Sequence, residues 1–315
     1  MPDGGDTPRT LDRETLRARR EAARRRSRLA RRRGLVVVAA ALTALVGVLV
    51  AGAGGGGRGH GAAPQNVGGG HAAPRGRTAH GAGSPANLEA LVAAGKPVYC
   101  GAGRQRLVAL TFDDGPGPYT KFAIDELTRA HARATWFLVG RNLQPNAARL
   151  PQELALGELG DHTWTHPPLT GLSPDAASSE IQRTRDAVAA AAGRQVRLFR
   201  PPYGLRNGGI DATVRRLGMV DVIWSVDSLD SAGADKHGIA RAVIENLRPG
   251  AIVLMHENRG QTIQALHRIL PAVRRKHLQP VTLTELLERD PPTREQLDRA
   301  RSGCTRQTGR VSLGS

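Results

Sequence analysis

Short apolar runs alternate with amphipathic stretches through the last two thirds of the chain. Leu107 to Phe112, Thr135 to Val139, Glu158 to His162, Val196 to Arg200, Val220 to Val226, Ala251 to His256 and Pro280 to Leu283 have strand length and composition. Between them, Lys121 to Ala132, Pro174 to Ala192, Asp211 to Leu217, Ile239 to Leu247 and Thr262 to Lys276 repeat with the helical period. Such alternation predicts parallel strands joined by crossover helices. About seven units without a glycine-rich phosphate loop predict a distorted (β/α) barrel rather than an open dinucleotide-binding sheet.

The pattern changes before residue 97. Leu35 to Ala53 is an unbroken uncharged run of nineteen residues, close to the roughly 20 that cross a bilayer. Residues 1–34 hold twelve Arg and five acids, and an Arg-rich flank stays cytoplasmic. The expectation is a basic cytoplasmic segment, a transmembrane anchor over 35–53, and everything after Ala53 outside a cell membrane crossed once. Ala51-Gly52-Ala53 also has the small residues of a cleavage site, so a cleaved signal and a secreted protein form the alternative. Residues 54–96 begin with four consecutive glycines and continue with Gly, Pro and scattered His, which predicts a flexible linker with His60, His71 and His80 solvated. The folded domain is expected over 97–290, with 291–315 as a C-terminal tail.

At 40% hydrophobic residues, the chain of 315 has enough apolar material for a core. The net charge of +17 does not point to nucleic acid, because the basic run flanks the apolar segment. Residues 97–315 carry +7, which suits an anionic wall polymer as well as plain solvation. Cys100 and Cys304 flank the domain, and in an exported chain they are expected to pair.

The candidate chemistry begins at Asp113-Asp114, two acids ending the first apolar run ahead of Gly115-Pro116. Neighbouring side chains on a strand point to opposite faces, so both acids reach one site only where the extended backbone breaks, and Gly-Pro is expected to break it. His162 and His166 stand four apart, within reach of one another on a helical turn or in a tight loop. A carboxylate and two imidazoles make a metal site, with one carboxylate to spare. Arg200, Asp227 with Asp230, and His256 also fall at C-terminal strand ends, the rim on which barrel enzymes build active sites. Asp227 stays open between ligand, support for a ligand, and turn former.

Five segments then occur in order: TFDDGP at Thr111 to Pro116, HTWTH at His162 to His166, RPPYG at Arg200 to Gly204, WSVDSLD at Trp224 to Asp230, and LMH at Leu254 to His256. With them the chain resembles the polysaccharide deacetylases, family 4 carbohydrate esterases that share the NodB homology domain. The resemblance covers roughly residues 97–290. It implies that Asp114, His162 and His166 bind a divalent metal, zinc first, with cobalt, manganese or nickel as alternatives. It further implies Asp113 as general base tethered by Arg200, and His256 as general acid oriented by Asp230. Tyr203, through its backbone N–H, Leu254 at the acetyl methyl, and Trp224 would lie on the substrate side.

One departure stands out: Ser231 occupies a place where the family usually has Trp. Trp164 and Tyr119 are open between sugar stacking and packing. The implied function is hydrolytic N-deacetylation of N-acetylglucosamine in a cell-wall glycan, peptidoglycan first and chitin oligomers second, by a monomer that binds no nucleic acid. An O-acetyl esterase on xylan or another acetylated glycan, and a non-catalytic glycan-binding wall protein, are the rival readings.

Overall fold

Each strand-to-strand ladder is parallel, and both faces of the sheet are apolar, as expected where a parallel sheet is covered on each side. The computed structural model describes residues 86–304. The basic segment, the apolar run Leu35 to Ala53, the linker up to residue 85 with its three histidines, and residues 305–315 lie outside these. Among the described residues no helix is long and apolar enough to cross a membrane.

The strands are β1 (Leu107–Gly115), β2 (Ala134–Leu138), β3 (Gly157–Asp161), β4 (Leu198–Phe199), β5 (Val220–Asp221), β6 (Val226–Asp227), β7 (Ile252–His256) and β8 (Gln279–Val281). Seven follow the order β5-β4-β3-β2-β1-β7-β6, and β8 pairs with the start of β1. The helices are α1 (Ala86–Ala94), α2 (Thr120–Arg129), α3 (Leu150–Leu156), α4 (Pro174–Ala192), α5 (Gly208–Arg216), α6 (Lys236–Asn246), α7 (Gly260–Arg275), α8 (Leu283–Arg289) and α9 (Arg294–Arg299). Five of them start where a side chain caps the first turn: Ser173, Asn207, Asp235, Thr282 and Thr293 accept from the N–H of Ala176, Ile210, Gly238, Glu285 and Gln296. Gly193 ends α4 at φ +64°, a left-handed position that glycine takes without steric cost.

Alternation along the strands sorts side chains between two layers. On β1, Val108, Leu110 and Phe112 face the outer layer with α2 to α7, while Leu107 and Ala109 face the inside of the curl. Thr111 and Asp113 share that inner face, so the strand's own pleat aims Asp113 inward. Phe137, Leu198, Val222 and Ile252 fill the inside together with Leu88 and Leu91 of α1 and Leu283, Leu286 and Leu287 of α8.

The sheet is a curled half-barrel rather than a closed barrel. The expected strand Val220 to Val226 is in fact two, β5 and β6, on opposite edges of the sheet. Residues 222–225 cross the gap between them. A continuous apolar run has no mark for such a switch, because the crossing residues Val222 and Ile223 are as buried as strand residues.

Order extends to both sides of 97–290. The expected linker ends in α1, held by Asn87 Nδ2 donating to the Glu288 carbonyl (2.8 Å) and by Leu88 N–H donating to Glu288 Oε1 (3.0 Å). The expected tail contains α9 and a turn at Ala300–Cys304. Cys304 is disulfide-bonded to Cys100, 204 residues away in sequence. By the chain-entropy account, closing a loop of that length contributes about 5 kcal/mol at most.

Candidate metal and catalytic site

β1 runs on through Gly115, so Gly-Pro is not what turns the two acids together. The ladder with β2 shifts register between Asp113 and Gly115, which leaves Asp114 as a bulged residue at φ +72°. A bulge re-aims one side chain without ending the strand. Asp113 and Asp114 therefore both reach the C-terminal mouth of the half-barrel.

His162 follows β3, and its Nδ1 lies 2.7 Å from the Arg200 carbonyl. A carbonyl only accepts, so Nδ1 carries the hydrogen and Nε2 presents its lone pair. That lone pair lies 3.7 Å from Asp114 Oδ1. His166 arrives by a loop, with Thr163 at φ +67° and His166 at φ +63°, and its Nε2 lies 3.2 Å from the same oxygen. Burial, and next the neighbouring His162, hold its pKa below the usual 6.5, which favours the neutral ligand form. One atom from each of Asp114, His162 and His166 lies within 4.8 Å of the others, the one such cluster among the described residues.

Asp114 Oδ1 is buried without a hydrogen-bond donor, while Oδ2 accepts from Asn258 Nδ2 at 3.1 Å. An orphaned carboxylate oxygen between two imidazole lone pairs is the donor set of a divalent cation. The residues present fit the metal that the resemblance implies.

Asp113 takes no such part. Its Oδ1 accepts from Arg200 Nη1 at 2.7 Å, and its Oδ2 lies 3.6 Å from His162 Nε2. Arg200 is wholly buried and uses its whole fork: Nη1 also donates to Thr111 Oγ1, Nε to the Val222 carbonyl and Nη2 to the Ile223 carbonyl. Its plane stacks over Phe137, 4.1 Å from the centroid. Burial lowers its pKa and Asp113 opposes that shift.

Across from Asp113 in the β1–β7 register stands His256. Its Nδ1 lies 2.7 Å from Asp230 Oδ1, and its N–H donates to Asp230 Oδ2, which also accepts from Thr262 Oγ1. Burial works against charge on His256, but the Asp230 contact, with Asp113 and Asp114 behind it, raises its pKa above 6.5. Asp230 is correspondingly lowered despite its own burial.

The match to known proteins follows this geometry. The polysaccharide deacetylase family model covers residues 101–222. A Bacillus cereus peptidoglycan-N-acetylglucosamine deacetylase is 34% identical over 190 residues, which span 58% of this chain and 89% of that protein. The chain belongs to the polysaccharide deacetylase family. A bifunctional xylanase/xylan deacetylase of Cellvibrio japonicus is 37% identical over 175 residues, 55% of this chain but only 26% of that longer protein. Among solved structures, the family 4 carbohydrate esterase of Streptomyces lividans in complex with acetate superposes with a TM-score of 0.53 at 36% identity, covering 55% of this chain and 90% of that one.

The remaining residues of this polysaccharide deacetylase fall around the same mouth. Tyr203 sits at φ +61°, mostly exposed, with its ring edge-on to His166 at 4.8 Å between centroids. Trp224 lies in the β5–β6 crossing under that loop; a Cβ on Gly204 would come 3.0 Å from its ring. Leu254 is buried on the inner face of β7, one pleat before His256. Asp227 is a turn former, its Oδ1 accepting from the Leu229 N–H at 2.8 Å. Trp164 is packed rather than free, with the Arg183 guanidinium 4.3 Å above its ring and Gly140 leaving room beneath. Tyr119 is 40% exposed and its ring lies against the start of α7. Ser231 is exposed.

Sequence reasoning missed Asn258 and Thr262. Each follows His256 within six residues on the loop and first turn after β7, and that proximity was the available signal.

Proposed function

We propose that this deacetylase is a metal-dependent hydrolase that removes the acetyl group from N-acetylglucosamine residues of a cell-wall polysaccharide, peptidoglycan first, with chitin oligomers second. The observation that carries it is the pair on adjacent strands, Asp113 fixed by Arg200 and His256 fixed by Asp230, beside a carboxylate-imidazole cluster.

A divalent ion held by Asp114, His162 and His166 would supply Lewis acidity toward the acetamide carbonyl and toward water. Asp113, aimed by the Arg200 guanidinium, takes a proton from the attacking water. The N–H of Tyr203 faces charge developing on the carbonyl oxygen. His256 carries the proton needed by the leaving nitrogen, and Asp230 keeps the donating Nε2 aimed by holding Nδ1. One C–O bond forms, the C–N bond breaks, and acetate and a free amine leave.

The Cellvibrio japonicus relative supports a second reading, an O-acetyl esterase on xylan, since the same groups would cleave an ester. A third, a non-catalytic wall-binding protein, would need a missing base or ligand, and the sequence keeps each one. The disulfide and the apolar run Leu35 to Ala53 support an extracytoplasmic site of action, tethered to the membrane or secreted after cleavage. Acetate release by the purified protein from peptidoglycan, chitin oligomer and acetylxylan, with and without chelator, separates these. Release from acetylxylan alone would replace the amidase reading, and no chelator-sensitive release from any of the three would remove catalysis altogether.

A further inference from the structure

Two carboxyl groups meet in the interior beside the site, and neither takes part in the chemistry above. Glu257 follows His256 at the end of β7, Glu153 comes from α3, and both are 0% exposed. The Thr120 hydroxyl, at the start of α2, bonds Glu257 Oε2. Glu257 Oε1 and both oxygens of Glu153 have no donor among the described residues.

Two ionised carboxylates in that position would cost far more than the fold can spare. The groups facing them make matters worse, since Asp113 and Asp114 approach from β1, while α2 brings the uncharged Thr120 hydroxyl. Burial drives the Glu257 pKa up to about 8, and Glu153, buried and beside Glu257, is raised well above the ordinary 4.5. A proton between the two satisfies both at once.

What the pair touches is the turn that carries the reactive acids. A Cβ at Gly115 would lie 1.5 Å from Glu257 Oε1, so the glycine of TFDDGP leaves room for this carboxyl. The Glu257 N–H donates to the Asp113 carbonyl at 3.2 Å. Thr120, held by Glu257, accepts from the Gly117 N–H at 2.7 Å and so fixes the other end of the turn. The next residue, Asn258, reaches Asp114 Oδ2.

We propose that Glu153 and Glu257 share one proton and are positioning residues, a hydrogen-bonded strut with one negative charge instead of two beneath Asp113-Asp114-Gly115 that fixes the direction of both carboxylates. The proton, the shape and the absence of a second charge are what the site uses. The activity arm of the test rests on the proposed deacetylation; the spectroscopic and metal-binding arms do not.

The test uses the purified protein with Glu257→Gln, Glu153→Gln and Glu257→Ala. Infrared difference spectra at neutral pH, wild type minus each Gln variant, are expected to show a protonated-carboxyl C=O band that either single substitution removes. Glu257→Gln should bind zinc and release acetate much as wild type does, since an amide keeps the shape, the pair's single charge and a donor toward Glu153. Glu257→Ala should lose about a hundredfold in kcat with KM little changed, the scale of a catalytic group displaced by about 1 Å. If the alanine variant does not fold, the two Gln variants still decide. A wild type without that band, a band untouched by both substitutions, or a Gln variant as impaired as the Ala variant overturns the proposal. A wild type that shows the band yet releases no acetate counts against the function and leaves the strut standing.

Discussion

His162 donates through Nδ1 to the main-chain carbonyl of Arg200, the residue whose guanidinium grips Asp113. One residue thus sets the tautomer of a metal-ligand candidate with its backbone and the direction of the candidate base with its side chain. It also ties β4 to the Val222 and Ile223 carbonyls in the gap between the sheet edges.

Arg200→Met should therefore damage stability and chemistry together. Removing one partner of a buried pair costs about 3–5 kcal/mol, because the charge left behind stays buried. Urea unfolding should show a midpoint well below wild type, and acetate release should fall by at least the general-base factor of about 10². Arg200→Lys should rescue only part, since an ammonium cannot reproduce the fork to Asp113, Thr111 and two carbonyls. Full rescue by Lys would mean that charge alone matters.

Asp113 and Asp114 should separate cleanly. Asp114→Ala, His162→Ala and His166→Ala should each reduce bound metal and activity in parallel, measured by elemental analysis of the purified proteins. Asp113→Asn should keep its metal and lose about 10² to 10⁴ in kcat. Wild-type metal content in all three ligand variants, or near-normal turnover by Asp113→Asn, would undo the assignment.

The His256–Asp230 contact sets a pH window. The folded pKa of His256 is raised, so its stabilising contribution is complete below the ordinary 6.5 and is lost as pH rises through the raised value. Asp230 is lowered, so its contribution is present above 3.8 and is lost as pH falls through the lowered value. As the proton donor, His256 must be charged, which puts the alkaline limb of kcat above pH 6.5. Asp230→Asn should move that limb downward and reduce the plateau. A pH profile unmoved by the substitution would show that another group donates the proton.

Reduction of Cys100–Cys304 should lower stability by up to about 5 kcal/mol without changing metal content, because Cys100 pairs with Ala251 just before β7, at the end of the sheet opposite the mouth that carries the ligands. Thermal melts with and without reductant, alongside metal analysis, read both quantities. Loss of metal on mild reduction would tie the bond to the site instead.

The sequence announced the strand-helix alternation because parallel strands and amphipathic helices keep different periods, and the five segments announced which strand ends carry chemistry. What stayed hidden was decided by tertiary contact. The crossing at 222–225 reads as one strand, since Val222 and Ile223 are buried inside the curl and look no different from ladder residues. The bulge at Asp114 has no composition signal, whereas Gly115-Pro116 reads as a turn; the glycine is there for the Glu257 carboxyl. Glu153 looked like any acid in a helical stretch, and only its burial against Glu257 distinguishes it.

The bond between Cys100 and Cys304 makes one covalent ring of everything from the start of β1 to the turn after α9. A protease that cuts a single peptide bond inside that ring produces no separate pieces. The nicked molecule keeps its mass on a non-reducing gel, and its two lengths of chain stay side by side and able to refold together. Two cuts, or one cut and a reductant, are needed before any part of that ring can diffuse away.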